Sequence, residues 1–155
     1  MRLLVALAAL LLPHAGTFAP GQSLGGVRLG MTGPKVVRLW GRAYGVCRGC
    51  PRTTWYFTYR PFEPKGAQVQ FERGRVVAVA TVWSPPGWRT TRGLKIGDET
   101  SRITLVYGPL PSLACHNYAA LVLSGHRTTS VFYVVEGRLW GFGLIGSPRS
   151  ACLSR

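Results

Sequence analysis

Four cysteines are the residues whose type and spacing most directly suggest chemistry: Cys47, Cys50, Cys115 and Cys152. An even number of cysteines in an exported chain favours disulfides, and four cysteines allow three connectivities. Cys47 and Cys50 follow the first predicted helix, and Cys115 lies in the comparable loop after the second. We therefore favour the pairs Cys47–Cys50 and Cys115–Cys152, the second of which would stabilise the fold by on the order of 3 kcal/mol.

The Cys47-x-x-Cys50 spacing also occurs in redox centres, where Arg48 and Arg52 would lower the pKa of a thiol. A thioredoxin-type motif opens a helix after a parallel strand, whereas Pro51 leads into a predicted antiparallel strand. We therefore favour a structural disulfide, and a thiol–disulfide enzyme is the weaker alternative.

No other set of residues predicts catalysis or metal binding. Ser124, His126 and Asp98 could be drawn as a triad, but no nucleophile-elbow sequence supports them. Cys115 and His116 are adjacent, which is not the spacing of metal ligands. The sequence thus predicts a protein that is not an enzyme, with no catalytic residues, no metal site and no cofactor.

The charge of the chain is strongly positive, with 19 Lys and Arg against five Asp and Glu and a formal net charge of +14. So few acids argue against carboxylate-dyad hydrolases and calcium-binding loops. The positive field would attract anionic polymers or lipid head groups, although coding bias toward arginine would produce the same excess.

The first 19 residues have the pattern of a secretory signal peptide. Residues 3–12 form an apolar run behind Met1-Arg2, and ten residues are too few to span a bilayer as a helix. Cleavage after Ala19 would place a proline after the cut, so cleavage after Ala15 or Gly16 is the alternative. With no cysteine near these sites and no later apolar run of spanning length, we expect a secreted or extracytoplasmic protein without a lipid anchor or transmembrane segment.

The remaining chain reads as two copies of one pattern, residues 20–86 and 87–155. Sliding the sequence on itself by 67 residues pairs residues 26–30 with residues 93–97, and the match continues through the next turn. Each copy predicts a short helix that stops at a glycine, followed by antiparallel strands. The predicted fold is α+β, with two fused helix-plus-antiparallel-sheet repeats.

A family resemblance follows from four short motifs. They are Leu29-Gly30-Met31-Thr32, Trp40-Gly41, Trp55-Tyr56-Phe57 and Gly74-Arg75-Val76. In these motifs the chain resembles the outer-membrane assembly lipoprotein BamE (SmpA) and the tandem fold of β-lactamase-inhibitor-protein-like (BLIP-like) domains. It resembles more closely secreted double-repeat proteins of high-GC bacteria. The resemblance implies a fold of two helix-plus-antiparallel-sheet repeats and a protein partner in the cell envelope or extracellular space.

The aromatic residues predict a binding surface on one face of the sheet. By the period of two, Trp55 and Phe57 face inward, whereas Tyr56 and Arg60 face outward. The residues proposed for binding are Tyr56, Arg60, Trp83, Trp88, Tyr133 and Trp140. The alternative is that loops such as residues 60–66 cover both faces.

The predicted function is that of a secreted, non-catalytic binding module for a protein partner. The runner-up is electrostatic binding of an anionic cell-wall polymer, lipid or nucleic acid. The sequence carries no signal for the oligomeric state.

Overall fold

The computed structural model describes residues 16–60, 63–147 and 151–153. The elements follow in this order: β1 Thr17–Ala19, β2 Ser23–Leu24, α1 Gly33–Trp40, β3 Tyr44–Val46, β4 Thr53–Arg60, β5 Glu63–Glu72, β6 Arg75–Val82, β7 Arg89–Thr90, α2 Thr100–Tyr107, β8 Ser112–Cys115, β9 Tyr118–Ser124, β10 Thr129–Val135 and β11 Arg138–Ile145.

Most of these strands form one antiparallel sheet of eight strands, in the order β3-β4-β5-β6-β11-β10-β9-β8. Its centre is the pair β6 and β11, which is joined by only three residue pairs, Ala78 to Ala80 against Gly143 to Ile145. Thr81 extends this join through its side chain, because its hydroxyl oxygen accepts the Phe142 amide at 2.7 Å. A small second sheet places β1 between β2 and β7.

Two tight hairpins align the central strands with their outer neighbours. Arg73 and Gly74 turn β5 into β6, and Glu136 and Gly137 turn β10 into β11, with positive φ at all four residues. Positive φ at both central residues is the geometry of the type I′ turn, whose twist matches that of the strands it joins. These turns therefore fix the register of the two hairpins.

Both helices end where the glycines predict. The Gly41 amide donates to the Val37 carbonyl and the Gly108 amide to the Thr104 carbonyl, each glycine with φ near 80°. A left-handed residue at this position is cheapest for glycine, which has no Cβ.

The helices pack on one side of the large sheet, which we call the helix face. Its core contains Phe18, Val69, Phe132 and Phe142, and all four are fully buried. Phe18 from β1 stacks on Phe142 with ring centroids 5.1 Å apart. The small sheet therefore belongs to the same core as the helices.

The expected fold class of two helix-plus-sheet repeats is wrong. The strands of both segments join into one sheet because β6 pairs with β11, and each helix has only eight residues. Strands thus dominate the architecture. Residues 1–15 of the predicted signal peptide lie outside the described residues, whereas Thr17–Ala19 form β1. The predicted boundary after residue 19 stays a prediction.

Candidate functional site

The side of the large sheet opposite the helices, here called the open face, carries a row of residues in register. Across four strands, Tyr56 pairs with Gln68, Gln68 with Ala80, and Ala80 with Gly143. Since side chains on neighbouring strands in register point to the same side, these residues share one surface. The row runs from a large aromatic through an amide to residues with almost no side chain.

This change of size creates a recess of about 190 Å³ at the centre of the open face. Its lining consists of Arg52, Gln68, Gln70, Ala78, Val79, Ala80, Tyr133, Ile145, Cys152 and Leu153. The Tyr133 ring lies over Gly143, where an added Cβ would come within 2.5 Å of the tyrosine oxygen. Small residues on the central strands thus leave a space that the larger neighbours surround.

The polar groups of the recess are suited to recognition. Gln68 and Gln70 are 5% and 7% exposed, and the amide of a glutamine side chain can both donate and accept hydrogen bonds. The exposed Arg52 adds a guanidinium, which binds carboxylates well. The described residues that line the recess include no Ser, His, Asp, Glu or free Cys, and the described part of the chain contains no cluster of three or more potential metal ligands.

Residues Ala151–Leu153, here called the C-terminal segment, cover part of the open face beside the recess. Cys152 is bonded to Cys115 on the edge strand β8, with the two Cα atoms 5.6 Å apart. Ala151 is fully buried, and the Leu153 amide donates to the Tyr118 hydroxyl at 2.6 Å. The disulfide thus holds the segment against the sheet and closes one wall of the recess.

An aromatic cluster lies under this segment. Tyr133 contacts Tyr118 edge to face at a centroid distance of 5.8 Å, and Trp140 lies 6.1 Å from Tyr118. Burial raises the pKa of Tyr133 well above its usual value, and the neighbouring Tyr118 raises it further. Burial also raises the pKa of Tyr118, partly offset by the hydrogen bond from Leu153, and the pKa of Tyr56.

Three of the six residues predicted for binding share the open face: the half-buried Tyr56 and Trp140 and the buried Tyr133. Trp88 lies instead in the helix-face core, 6.5 Å from Trp40 between ring centroids, so it is buried away from the open face. Trp83 is 61% exposed and lies in the connection between β6 and β7. The Arg60 side chain lies outside the described residues.

Sequence reasoning missed the residues that give the recess its polarity, Gln68 and Gln70. A detectable signal was present. Glutamines occupy alternate positions in β5, opposite alternate alanines in β6, which is typical of a sheet face with polar groups and open space.

Both predicted disulfides are formed, so the predicted connectivity is confirmed. Cys47 and Cys50 lie in the connection between β3 and β4, two antiparallel strands. The Cys47–Cys50 disulfide thus closes a short loop between two antiparallel strands.

Among the described residues, no helix is both long enough and apolar enough to cross a lipid bilayer. No protein-family model matches the chain, and no curated protein matches it.

Solved structures do match the fold. An extracellular protein containing an SCP domain from Bacillus anthracis superposes with a TM-score of 0.59 at 10% identity, over 79% of this chain and 45% of that chain. A DUF4309 family protein from Bacillus subtilis gives 0.56 at 13% identity, over 75% of this chain and 78% of that chain. A cysteine-rich secretory protein from Staphylococcus aureus gives 0.53 at 14% identity, over 90% and 50%.

These likenesses correct the family expected from the sequence motifs. The similar structures are SCP-domain-containing and DUF4309 proteins, and the expected resemblance to BamE and BLIP-like tandem repeats is wrong. The glycines and core aromatics that suggested it mark helix ends and buried strand positions, which unrelated sheet proteins share. The chain spans less than half the length of the Bacillus anthracis protein.

Proposed function

We propose that this protein is an exported, non-catalytic binding module that holds a protein partner on the open face of its sheet. The observation that carries the proposal is the recess, where two nearly buried glutamines and an arginine surround space left by small residues. A partner side chain with a carboxylate or amide would find matched hydrogen-bonding groups there. Tyr56 and Trp140 would supply aromatic contact around it.

Filling the recess tests this role. Ala78 is half-buried in the recess, whereas Ala114 is exposed on β8 and lies on the other side of the sheet. We expect Ala78→Trp to abolish capture of a partner from the extracellular fraction, because the indole occupies the recess, and Ala114→Trp to leave capture intact. Equal capture by both folded variants would place the partner elsewhere.

Export by a cleaved signal peptide is part of the proposal. Disulfides are typical of oxidising compartments, and two of the similar structures are described as extracellular or secretory proteins. Because Phe18 is fully buried in the helix-face core, cleavage after Ala15 or Gly16 would keep the core complete, whereas cleavage after Ala19 would remove a core aromatic. Amino-terminal sequencing of the exported protein distinguishes these sites, and a start at residue 20 would contradict this choice.

The charge favours a second candidate function, the binding of an anionic polymer. Five acids can neutralise at most five of the 19 basic residues, so most cations have no carboxylate partner within the chain. Binding of a polyanion to basic residues releases the counterions held by the polyanion. Added salt reduces this gain, so the affinity falls steeply as the salt concentration rises. Capture measured at two salt concentrations separates the candidates, since hydrogen bonds in a recess are less sensitive to salt.

A further inference from the structure

The strand β3 forms one free edge of the eight-stranded sheet among the described residues. Gly45 pairs with Tyr56, and the Cys47 amide donates to the Thr54 carbonyl at 2.9 Å. In an antiparallel ladder alternate residues direct their polar groups outward, so the Val46 amide and carbonyl point away from the sheet. Val46 is also 56% exposed. The edge is therefore available for pairing with another strand.

A basic groove lies beside this edge on the helix face. It has a volume of about 560 Å³ and is lined by Gly33, Pro34, Val37, Arg38, Arg42, Tyr44 and Trp55. Arg38 and Arg42 are both exposed, and no described carboxylate belongs to the lining. Of the acids in the described residues, Asp98 pairs with Arg102 and Glu99 with Arg138, both around α2. The groove thus presents two guanidinium groups that acidic side chains would neutralise.

The edge and the groove are held in fixed positions relative to each other. Tyr44 on β3 stacks on Trp55 of β4 with centroids 4.1 Å apart and planes 13° apart. The first turn of α1 lies against the same indole, since a Cβ added to Gly33 would come within 2.8 Å of it. The Cys47–Cys50 disulfide fixes the chain just after β3. The protein's side of this surface needs little ordering when a ligand binds, which favours affinity.

We propose that β3 and the basic groove together bind an extended acidic peptide segment of a partner protein, which adds a ninth strand to the sheet. Main-chain hydrogen bonds to Val46 align the segment, as in other cases of strand addition. Side chains opposite Tyr44 and Val46 point to the helix face, so acidic residues at alternate positions meet Arg38 and Arg42. Charge argues against a second copy of this chain as the occupant, because two chains with such an excess of basic residues repel each other. The surface lies across the sheet from the recess, and the inference goes beyond the role proposed for the open face.

The proposed contact between acidic side chains and the two arginines of the groove is tested with a capped nine-residue peptide of alternating glutamate and threonine. The oxidised protein is titrated with this peptide as wild type, as Arg38→Gln/Arg42→Gln and as Arg48→Gln/Arg73→Gln. Both variants remove two positive charges, but Arg48 and Arg73 are exposed residues outside the groove. We expect Kd to rise about tenfold or more for the groove variant and less than about twofold for the control. An equal rise in Kd for the two variants, or no measurable binding of the peptide to wild type, would overturn the proposal.

The proposed main-chain hydrogen bonds are tested with the same peptide N-methylated at every second residue. Methylation removes the amide protons that could bond to β3 and leaves the charge of the peptide unchanged. Binding should fall about tenfold, and hydrogen exchange at the Val46 amide should slow only with the unmodified peptide. Unchanged affinity for the methylated peptide would overturn strand addition. Equally tight binding of an acidic oligosaccharide or a DNA oligonucleotide of the same charge would overturn the choice of a peptide.

Discussion

The two faces of the eight-stranded sheet consist of alternate residues of the same strands, yet they are filled differently. At the centre of the helix face, Phe132 and Phe142 pack with Phe18, and all three rings are fully buried. On the open face, Ala78, Ala80 and Gly143 occupy the central strands and leave a recess. Apolar packing on one face stabilises the sheet, and this lets the other face keep polar groups and open space. We therefore expect truncations in the helix-face core to lower stability, and changes at the recess to lower binding.

The largest expected effect is a truncation on the helix face. Phe132 is fully buried and contacts Phe18, Tyr107 and Phe142. Phe132→Ala should lower the free energy of unfolding by ~3 to 5 kcal/mol, because it removes buried area and leaves a cavity. Urea unfolding of the variant, with Phe132→Leu as the control that keeps most of the volume, measures this. A loss below about 1 kcal/mol would show that the helix face is loosely packed.

The two disulfides should differ in their effect on stability. Cys115 and Cys152 are 37 residues apart, whereas Cys47 and Cys50 are three apart. In the chain-entropy model, Cys115→Ser/Cys152→Ser should cost roughly 3 to 4 kcal/mol and Cys47→Ser/Cys50→Ser about half as much. Thermal unfolding ranks the two double variants. The reverse order would mean that the C-terminal segment stays on the open face without its bond.

The hydroxyl of Thr81 links the two halves of the sheet. It accepts the buried Phe142 amide, so Thr81→Val would leave this donor unsatisfied at about the same side-chain volume. We expect a loss of about 1 to 3 kcal/mol in urea unfolding. Thr104→Val, at an exposed position of α2, should change stability by less than about 0.5 kcal/mol. Similar values for the two variants would mean that the join does not depend on this hydrogen bond.

The buried phenol of the open face should make stability sensitive to alkali. Burial raises the pKa of Tyr133 in the folded state, so the unfolded chain loses this proton first as the pH rises. The stability associated with neutral Tyr133 is complete below about pH 10 and falls above it, by up to about 1.4 kcal/mol per pH unit. Tyr133→Phe should lose less stability than wild type between pH 10 and 11. If the free energy of unfolding falls with pH equally for the two proteins, Tyr133 is in contact with solvent in the folded state.

The smallest effect on stability is expected at the half-buried aromatic of the open face. Tyr56→Ala should lower the free energy of unfolding by less than about 1 kcal/mol, because the ring is partly in solvent. If the proposed function is right, the same variant should lose capture of the partner proposed for the recess. An unfolded Tyr56→Ala protein would mean that the open face contributes to stability as the helix face does.

Local patterns in the sequence predicted several parts of the structure. The alternation in β4 places Trp55 and Phe57 against the helices and Tyr56 on the other side, as expected. The glycine ends of the helices and the Cys47–Cys50 pair also follow from local signals, because a left-handed residue or a short loop is determined by neighbours in the chain. The Cys115–Cys152 pair, 37 residues apart, was predicted only as the pairing of the two remaining cysteines.

The features that define the candidate site depend on contacts that are distant in sequence. The pairing of β6 with β11 is decided by packing of the whole chain, and no local period identifies the partner of a strand. Trp88 reads as an exposed aromatic beside a proline-rich connection, but tertiary packing buries it against Trp40. The recess likewise exists only once Ala78 on one strand meets Ile145 on another.

The short join between β6 and β11 has a consequence for how the protein folds. Its paired residues lie about 65 positions apart in the chain, so closing them costs more loop entropy than forming either tight hairpin. Long-range pairing of this kind slows folding. Until the join closes, the two central strands present unpaired edges and apolar side chains to any other chain nearby. A newly synthesised chain is therefore prone to aggregation until the three residue pairs that join β6 to β11 have formed.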